Sequence, residues 1–215
     1  RGSQSRRSIW LQMRDDSTVG FQPPSARAAV SLINGVDSMR IGIFFGSNTG
    51  NTQLDAEMIK TALERQLPGL VDLYDIGKTS VRLMQSYDRL IVGCPTWNIG
   101  QLQDDWDLKF NQLDELDLHG KKLALFAPGD QFGYPDNYLD AMGILGEKLE
   151  ERGAERVGFT DASDYQFSHS LAVEDGVFLG LALDDDNEAA LTEGRIADWV
   201  EQLFVDFEIG EAVAS

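Results

Sequence analysis

The sequence predicts an α/β domain: a three-layer, doubly wound, five-stranded parallel sheet whose fifth strand is interrupted by an insertion. Three observations carry that reading. Short apolar runs alternate with segments of helical period from residue 39 to residue 207. The runs are apolar throughout rather than at every second position, as strands covered by helices on both faces must be. The segments between them are long enough for the right-handed crossovers that parallel neighbours need.

Arg40–Phe45 (RIGIFF) is the first strand. Thr49–Leu67 follows as a helix, with Leu54, Met58, Ile59, Ala62 and Leu63 at helical spacing and Pro68-Gly69 as its stop. Leu70–Tyr74 is a short second strand, and Val81–Tyr87 a short helix or turn. Arg89–Cys94 (RLIVGC) is a buried third strand, Asp104–Leu113 a helix and Leu123–Ala127 the fourth strand. Asn137–Arg152 is an amphipathic helix ended by Gly153. Arg156–Phe159 and Phe178–Leu183 read as strand, and Ala189–Phe207 as the fifth and last helix. Between those two strands, about Thr160 to Val177 is polar, carries aromatics and has no helical period. A stretch that long inside a compact domain reads as a functional loop or an insertion.

Charge and composition divide the chain near residue 38. Residues 1–38 hold five Arg and three Asp; residues 39–215 hold 13 basic and 33 acidic side chains, a net -20. The first 38 residues contain Pro23-Pro24, scattered Ser and no sustained period, so they read as a disordered extension. An expression scar, sequence translated upstream of Met39, or an organelle transit segment each fit; Asp15 and Asp16 count against the last. The expected domain is residues 39–210, with 211–215 a tail.

The overall charge of -18 excludes classes of partner. Nucleic-acid binding needs a basic stripe, and anionic membranes repel such a surface. No apolar run reaches the roughly 20 residues of a membrane span. A single cysteine, Cys94, forms no intrachain disulfide, and His119 and His169 sit in no metal-ligand spacing.

In a doubly wound sheet, ligands bind at the carboxyl ends of the strands. After the first strand comes Gly46-Ser47-Asn48-Thr49-Gly50-Asn51-Thr52, leading into a helix N-terminus. Unpaired amides there favour a phosphate. The loop lacks Lys and Arg, which disfavours a nucleoside-triphosphatase, and it lacks the spaced glycines of a dinucleotide fingerprint. Taken alone it also reads as an ordinary helix cap. After the third strand comes Pro95-Thr96-Trp97-Asn98-Ile99-Gly100-Gln101, and after the fourth Gly129-Asp130-Gln131-Phe132-Gly133-Tyr134. Each aromatic alone reads as a cap on the sheet end. Together the loops describe a flat heteroaromatic ring between Trp97 and Tyr134 with a phosphate tail at Ser47–Thr52, the shape of flavin mononucleotide (FMN).

At these residues the chain resembles the long-chain flavodoxin family. The phosphate loop SNTGNT and the runs GCPTWNIGQLQDDW, GDQFGYPDNYLDAMG and DGVFLGLALDDDN match the family pattern, over about Arg40 to Phe207. The resemblance implies strand order 2-1-3-4-5, for which flavodoxins are themselves the type example, and an insertion like that of long-chain members. It implies that Ser47, Asn48, Thr49, Gly50, Asn51 and Thr52 bind the FMN phosphate. Thr96, Trp97, Asn98, Ile99 and Gly100 would wrap the dimethylbenzene side, with Trp97 on one ring face and Tyr134 on the other. Asp130 and Asn137 would contact the ring's polar edge, Asp186 the ribityl chain, and the Asn98–Ile99 peptide would turn to accept the N5–H of reduced flavin.

The implied function is a low-potential one-electron carrier, shuttling between semiquinone and hydroquinone in place of ferredoxin, without substrate turnover of its own. The alternative is an FMN-dependent NAD(P)H:quinone-type oxidoreductase. A receiver domain is set aside, because Gly46-Ser47 and Cys94-Pro95 stand where its aspartates belong. Implied partners are basic redox proteins: ferredoxin–NADP reductase, photosystem I or nitrogenase-type acceptors. A cytoplasmic monomer is expected, or a plastid stromal one if residues 1–38 are a transit segment. Two departures stand out. Ala127-Pro128 replaces the usual Gly-Thr, and Pro has no N–H. Asp55 replaces an apolar residue and is expected to face solvent or pair with a nearby Lys.

Overall fold

Five apolar runs become one parallel sheet. The computed structural model describes residues 40–209; the readings made for residues 1–38 and for the tail lie outside the described residues. Strands β1 (Ile41–Phe45), β2 (Val71–Asp75), β3 (Arg89–Gly93), β4 (Lys122–Pro128) and β5 (Glu155–Val157) lie in the order β2-β1-β3-β4-β5. Ile41 is level with Val71 on one side and Arg89 on the other, so the three strands run in step.

Alternation along the strands builds the two cores. Ile41, Ile43 and Phe45 point to one face, with Ile91, Ala124 and Phe126. Helix α1 (Asn51–Glu64) and the last helix, Asp185–Asp206, cover that face through Ala56, Ile59, Leu63, Ile196, Trp199 and Leu203. Phe44, Leu90, Val92, Leu123 and Leu125 point the other way. There α2 (Asp104–Lys109) and α3 (Asp140–Glu150) supply Trp106, Met142, Leu145 and Leu149.

The elements differ from expectation at their ends. The second of the five expected helices is a six-residue 3-10 turn, Val81–Ser86, capped by Ser80, whose hydroxyl accepts from the Arg82 amide. Helix α1 ends at Glu64, because the amides of Gln66 and Leu67 both turn back to the Leu63 carbonyl ahead of Pro68. The helix predicted over Asp104–Leu113 tightens to 3-10 geometry from Phe110 to Glu115. The last helix, α4 (Asp185–Asp206), starts four residues early. The Asp184 carboxylate caps it by accepting from the Asn187 amide, and an acidic first turn suits the positive end of the helix dipole.

The interrupted fifth strand is present in two halves. β5 pairs with Lys122–Ala124 of β4, and a later strand, Leu181–Leu183, pairs with Phe126–Pro128. Between them the insertion is a small antiparallel sheet rather than a loop: β6 (Thr160–Asp161), β7 (Val173–Glu174) and β8 (Val177–Phe178), ahead of β9 (Leu181–Leu183). Tyr165, Phe167 and Phe178 from this segment cluster on Tyr138, with Tyr165 edge-on to Phe178 at 5.0 Å between ring centres. Among the described residues no helix is long and apolar enough to cross a membrane, and no group of side chains could hold a metal ion.

Candidate functional site

A cavity of about 360 Å³ opens at the carboxyl ends of β1, β3 and β4. Its walls are the three loops singled out in the sequence and the first turn of α4.

The first loop contributes Thr49, Asn51 and Thr52. Gly50 precedes α1 with φ 101°, a conformation that glycine adopts without strain, and no side chain caps this helix end. No acidic residue lies in the first turn of α1, so its leading amides stay available to an anion. Ser47 and Asn48 shape the loop from behind. The Ser47 hydroxyl accepts from the Gly50 amide at 3.0 Å. The Asn48 side chain accepts from Gln103 at 2.6 Å and donates to Asp104 at 2.8 Å.

The second loop contributes Pro95, Thr96, Trp97 and Asn98. Trp97 and Gln101 exchange backbone hydrogen bonds of 2.8 Å and close a tight hairpin. At its tip Asn98 has φ 50° and Gly100 φ 81°, and Ile99 projects into solvent, 81% exposed. Asn tolerates that left-handed backbone better than other residues. Thr96 anchors the loop by accepting from the Ala141 amide of α3 at 3.0 Å. Gln103, fully buried, caps α2 by accepting from the amides of Asp105 and Trp106 while it reaches Asn48.

The third loop contributes Pro128, Gly129, Asp130, Tyr134 and Asn137, with Tyr138 and Leu139 beneath them. Asp130 organises it, accepting from the Gly133 amide at 2.7 Å, the Phe132 amide at 3.1 Å and the Asn187 side chain at 2.8 Å. Those bonds hold the Asp130 carboxyl below its usual range, the Gly133 amide most of all. Buried Gln131 ties the loop to the capping carboxylate of Asp184 at 2.8 Å and accepts from the Gln166 amide of the insertion at 2.6 Å.

Ten of the residues singled out in the sequence therefore line one cavity: Thr49, Asn51, Thr52, Thr96, Trp97, Asn98, Asp130, Tyr134, Asn137 and Asp186. Ser47, Asn48, Gly50, Ile99 and Gly100 lie in the same loops but outside the lining. Six lining residues were not assigned a binding role from the sequence: Pro95, Pro128, Gly129, Tyr138, Leu139 and Asp185. Pro95, Pro128 and Gly129 border predicted residues and were legible by adjacency. Tyr138, Leu139 and Asp185 arrive through long-range packing.

The cavity is acidic. Its lining contains Asp130, Asp185 and Asp186 and no Lys or Arg among the described residues. Partial burial raises the Asp186 carboxyl above its usual range, and Asp130, Asp184 and Asp185 add to the effect.

The family model described as Flavodoxin matches residues 43–199. A flavodoxin of Synechocystis sp. is 48% identical over 166 residues, 76% of this chain and 95% of that protein. The chain belongs to the flavodoxin family. A second flavodoxin, of Nostoc sp., is 45% identical over 79% of this chain and 98% of its own length. Among solved structures, a Fusobacterium nucleatum flavodoxin bound to flavin mononucleotide aligns with TM-score 0.73 at 28% identity, covering 78% of this chain and 98% of that one.

As a flavodoxin-family member, the chain resolves its two sequence departures differently. Pro128 ends β4, level with Leu183, and the next amide, of Gly129, donates to the Leu183 carbonyl. The missing Pro N–H therefore leaves the sheet intact. The expectation for Asp55 is overturned. It is 2% exposed, and its neighbour is another acid, Asp185. It lies on the buried face of α1 with Thr52, Ala56, Ile59 and Leu63, whereas Leu54, assigned to that face, is 60% exposed.

Proposed function

We propose that this chain is a one-electron carrier that binds FMN without a covalent bond. The observation that carries the reading is the cavity itself, which joins a helix N-terminus with no Lys or Arg beside it among the described residues to two loop aromatics. These residues fit the cofactor. The open amides of α1, with Thr49, Asn51 and Thr52, suit a phosphate monoester. Ser47, Asn48 and Gly50 hold that loop in shape. Trp97 and Tyr134, both in the lining, would cover the two faces of a flat heterocycle, and the exposed Tyr134 would leave its edge open to a partner.

FMN supplies the redox chemistry, and the protein supplies orientation and electrostatics. The Asn98–Ile99 peptide, at the tip of the Trp97–Gln101 hairpin, would be the group to accept a hydrogen bond from the flavin N5–H. Gly100 leaves room for that turn: a methyl group there would lie 2.8 Å from Asp140. Asn137 and Asp130 would hold the polar edge of the ring, and Asp186 the ribityl chain; all three line the cavity. Acidic walls disfavour added negative charge and so lower the potential; each carboxylate near 10 Å contributes about 0.4 kcal/mol at water-like dielectric.

The partners are redox proteins. The surplus of acidic residues supports basic ones, with ferredoxin–NADP reductase, photosystem I and nitrogenase-type acceptors as the specific candidates. The deciding experiment is the absorption spectrum of the purified protein. Two flavin bands, lost on cofactor removal and restored by FMN, are expected. A protein that neither carries nor takes up FMN overturns the reading.

A further inference from the structure

Asp55 is a buried carboxyl with an acid for a neighbour. It sits one helical turn into α1, whose N-terminus forms the phosphate end of the cavity, on the buried face of that helix. Its carboxyl meets that of Asp185, which lines the cavity wall. One oxygen of Asp55, Oδ2, is shielded from water and has no hydrogen-bond partner among the described residues. Two carboxylates cannot bond each other without a proton, and a buried pair of like charges is costly. A proton on the pair supplies the donor that the surroundings lack.

The two acids are not equivalent. Asp185 accepts from the Thr192 hydroxyl at 2.5 Å and lies at the positive end of α4, partly exposed. Both features give the Asp185 carboxyl partners of its own. Asp55 has neither. Among the described residues, the other elements packed on α1 offer it no counter-charge. β1 and the covering part of β4 present Ile41, Ile43, Phe45, Ala124 and Phe126. On β2, Asp72 is bonded to Arg40 and Asp75 to Lys78. On α1 itself, Lys60 pairs with Glu64, and Glu57 accepts from Gln53. On α4, Glu188 pairs with Arg195.

We propose that Asp55 is a neutral carboxylic acid donating to ionised Asp185, and that this bond is a positioning element between the phosphate-binding helix and the cavity wall, so that loss of its proton weakens the hold on FMN. Burial, followed by the Asp185 charge, pushes the Asp55 carboxyl up to about 8, so the change falls just above neutrality. The inference rests on the FMN reading above. It adds that retention of the cofactor is proton-linked in this chain, through a residue that touches no ligand.

The test is FMN affinity by fluorescence quenching between pH 7 and pH 9, for the full chain and for Asp55→Asn. Over that range the phosphate monoester is already a dianion. Wild type is expected to weaken about fivefold as a further negative charge appears behind the phosphate, and Asp55→Asn to stay level, because an amide donates to Asp185 with no proton to lose. Riboflavin, which lacks the phosphate, is expected to show a smaller loss with wild type. This arm needs no variant and stands if Asp55→Asn fails to fold. A wild-type affinity that is level across the range, a loss that persists in Asp55→Asn, or an equal loss with riboflavin overturns the proposal. Absence of FMN binding at pH 7 overturns the functional reading instead.

Discussion

Replacing Asp55 by Asn in the cofactor-free protein is expected to raise stability, and the gain is expected to depend on pH. The folded-state carboxyl titrates near 8, against 3.8 for an ordinary aspartate. Below pH 4 both folded and unfolded chains carry the proton, and burial of the neutral acid costs nothing in protonation. Between pH 4 and pH 8 the unfolded chain releases the proton while the folded chain keeps it. The folded state then binds more protons, so stability falls as pH rises, at about 1.4 kcal/mol per pH unit. Above pH 8 both states are ionised and the loss is complete. Asn does not titrate. The stability difference between variant and wild type should therefore grow by about 3 kcal/mol from pH 5 to pH 7. Urea unfolding at the two pH values, followed by far-UV circular dichroism without FMN, measures it; bound cofactor would add its own stabilisation. A difference that is the same at both pH values refutes a neutral, buried Asp55.

Three further outcomes are expected. Gln103→Ala removes the cap of α2 and its 2.6 Å bond to Asn48. It should cost about 2–3 kcal/mol in urea unfolding, and it should also weaken FMN binding. Gly93→Ala puts a methyl 2.2 Å from the Phe126 ring between β3 and β4. Overpacking of that degree should cost about 3 kcal/mol, read as a lower Tm. Finally, the second-order rate of reduction by a basic redox protein should fall steeply with added salt, because the attraction is screened; a rate indifferent to salt leaves the acidic surface with a solubility role only.

The sheet was legible because its strands are apolar on both faces, which few other environments permit. Arg40–Phe45 and Arg89–Cys94 needed no context to be read as buried strands. The three ligand loops were legible because their aromatics and glycines lie directly after those strands. What could not be read depends on packing across distance. Two-residue strands such as Thr160–Asp161 have no period to detect. Tyr138 reaches the cavity floor because its hydroxyl donates to the Leu183 carbonyl at 3.2 Å, a partner 45 residues away. The misplacement of Asp55 is a different kind of error. Thr52, Asp55, Ala56, Ile59 and Leu63 keep helical spacing, and the true face was readable. Counting Leu54 as a core residue rotated the inferred face away from it, since apolarity outweighed position. A charged residue at i−4 from Ile59 and i+3 from Thr52 was the available signal.

The absence of Lys and Arg from the cavity lining, among the described residues, shifts the burden of binding onto its construction. A phosphate held by Lys or Arg gains from direct charge pairing; here amide dipoles and hydroxyls must suffice, in the presence of Asp130, Asp185 and Asp186. Dipoles act well only when fixed in advance, because ordering them on binding would consume the gain. The loops are fixed in that way, by bonds within themselves and to the elements beside them. Ser47 holds Gly50, Gln103 holds Asn48, Thr96 holds the Ala141 amide, and Asp130 holds the amides of Phe132 and Gly133. Each tether sits beside the lining, and several belong to residues that do not line the cavity at all. Removing a tether releases several dipoles together, whereas removing one lining hydroxyl loses a single donor. Affinity in this chain should therefore be more sensitive to Gln103 and Ser47 than to Thr49.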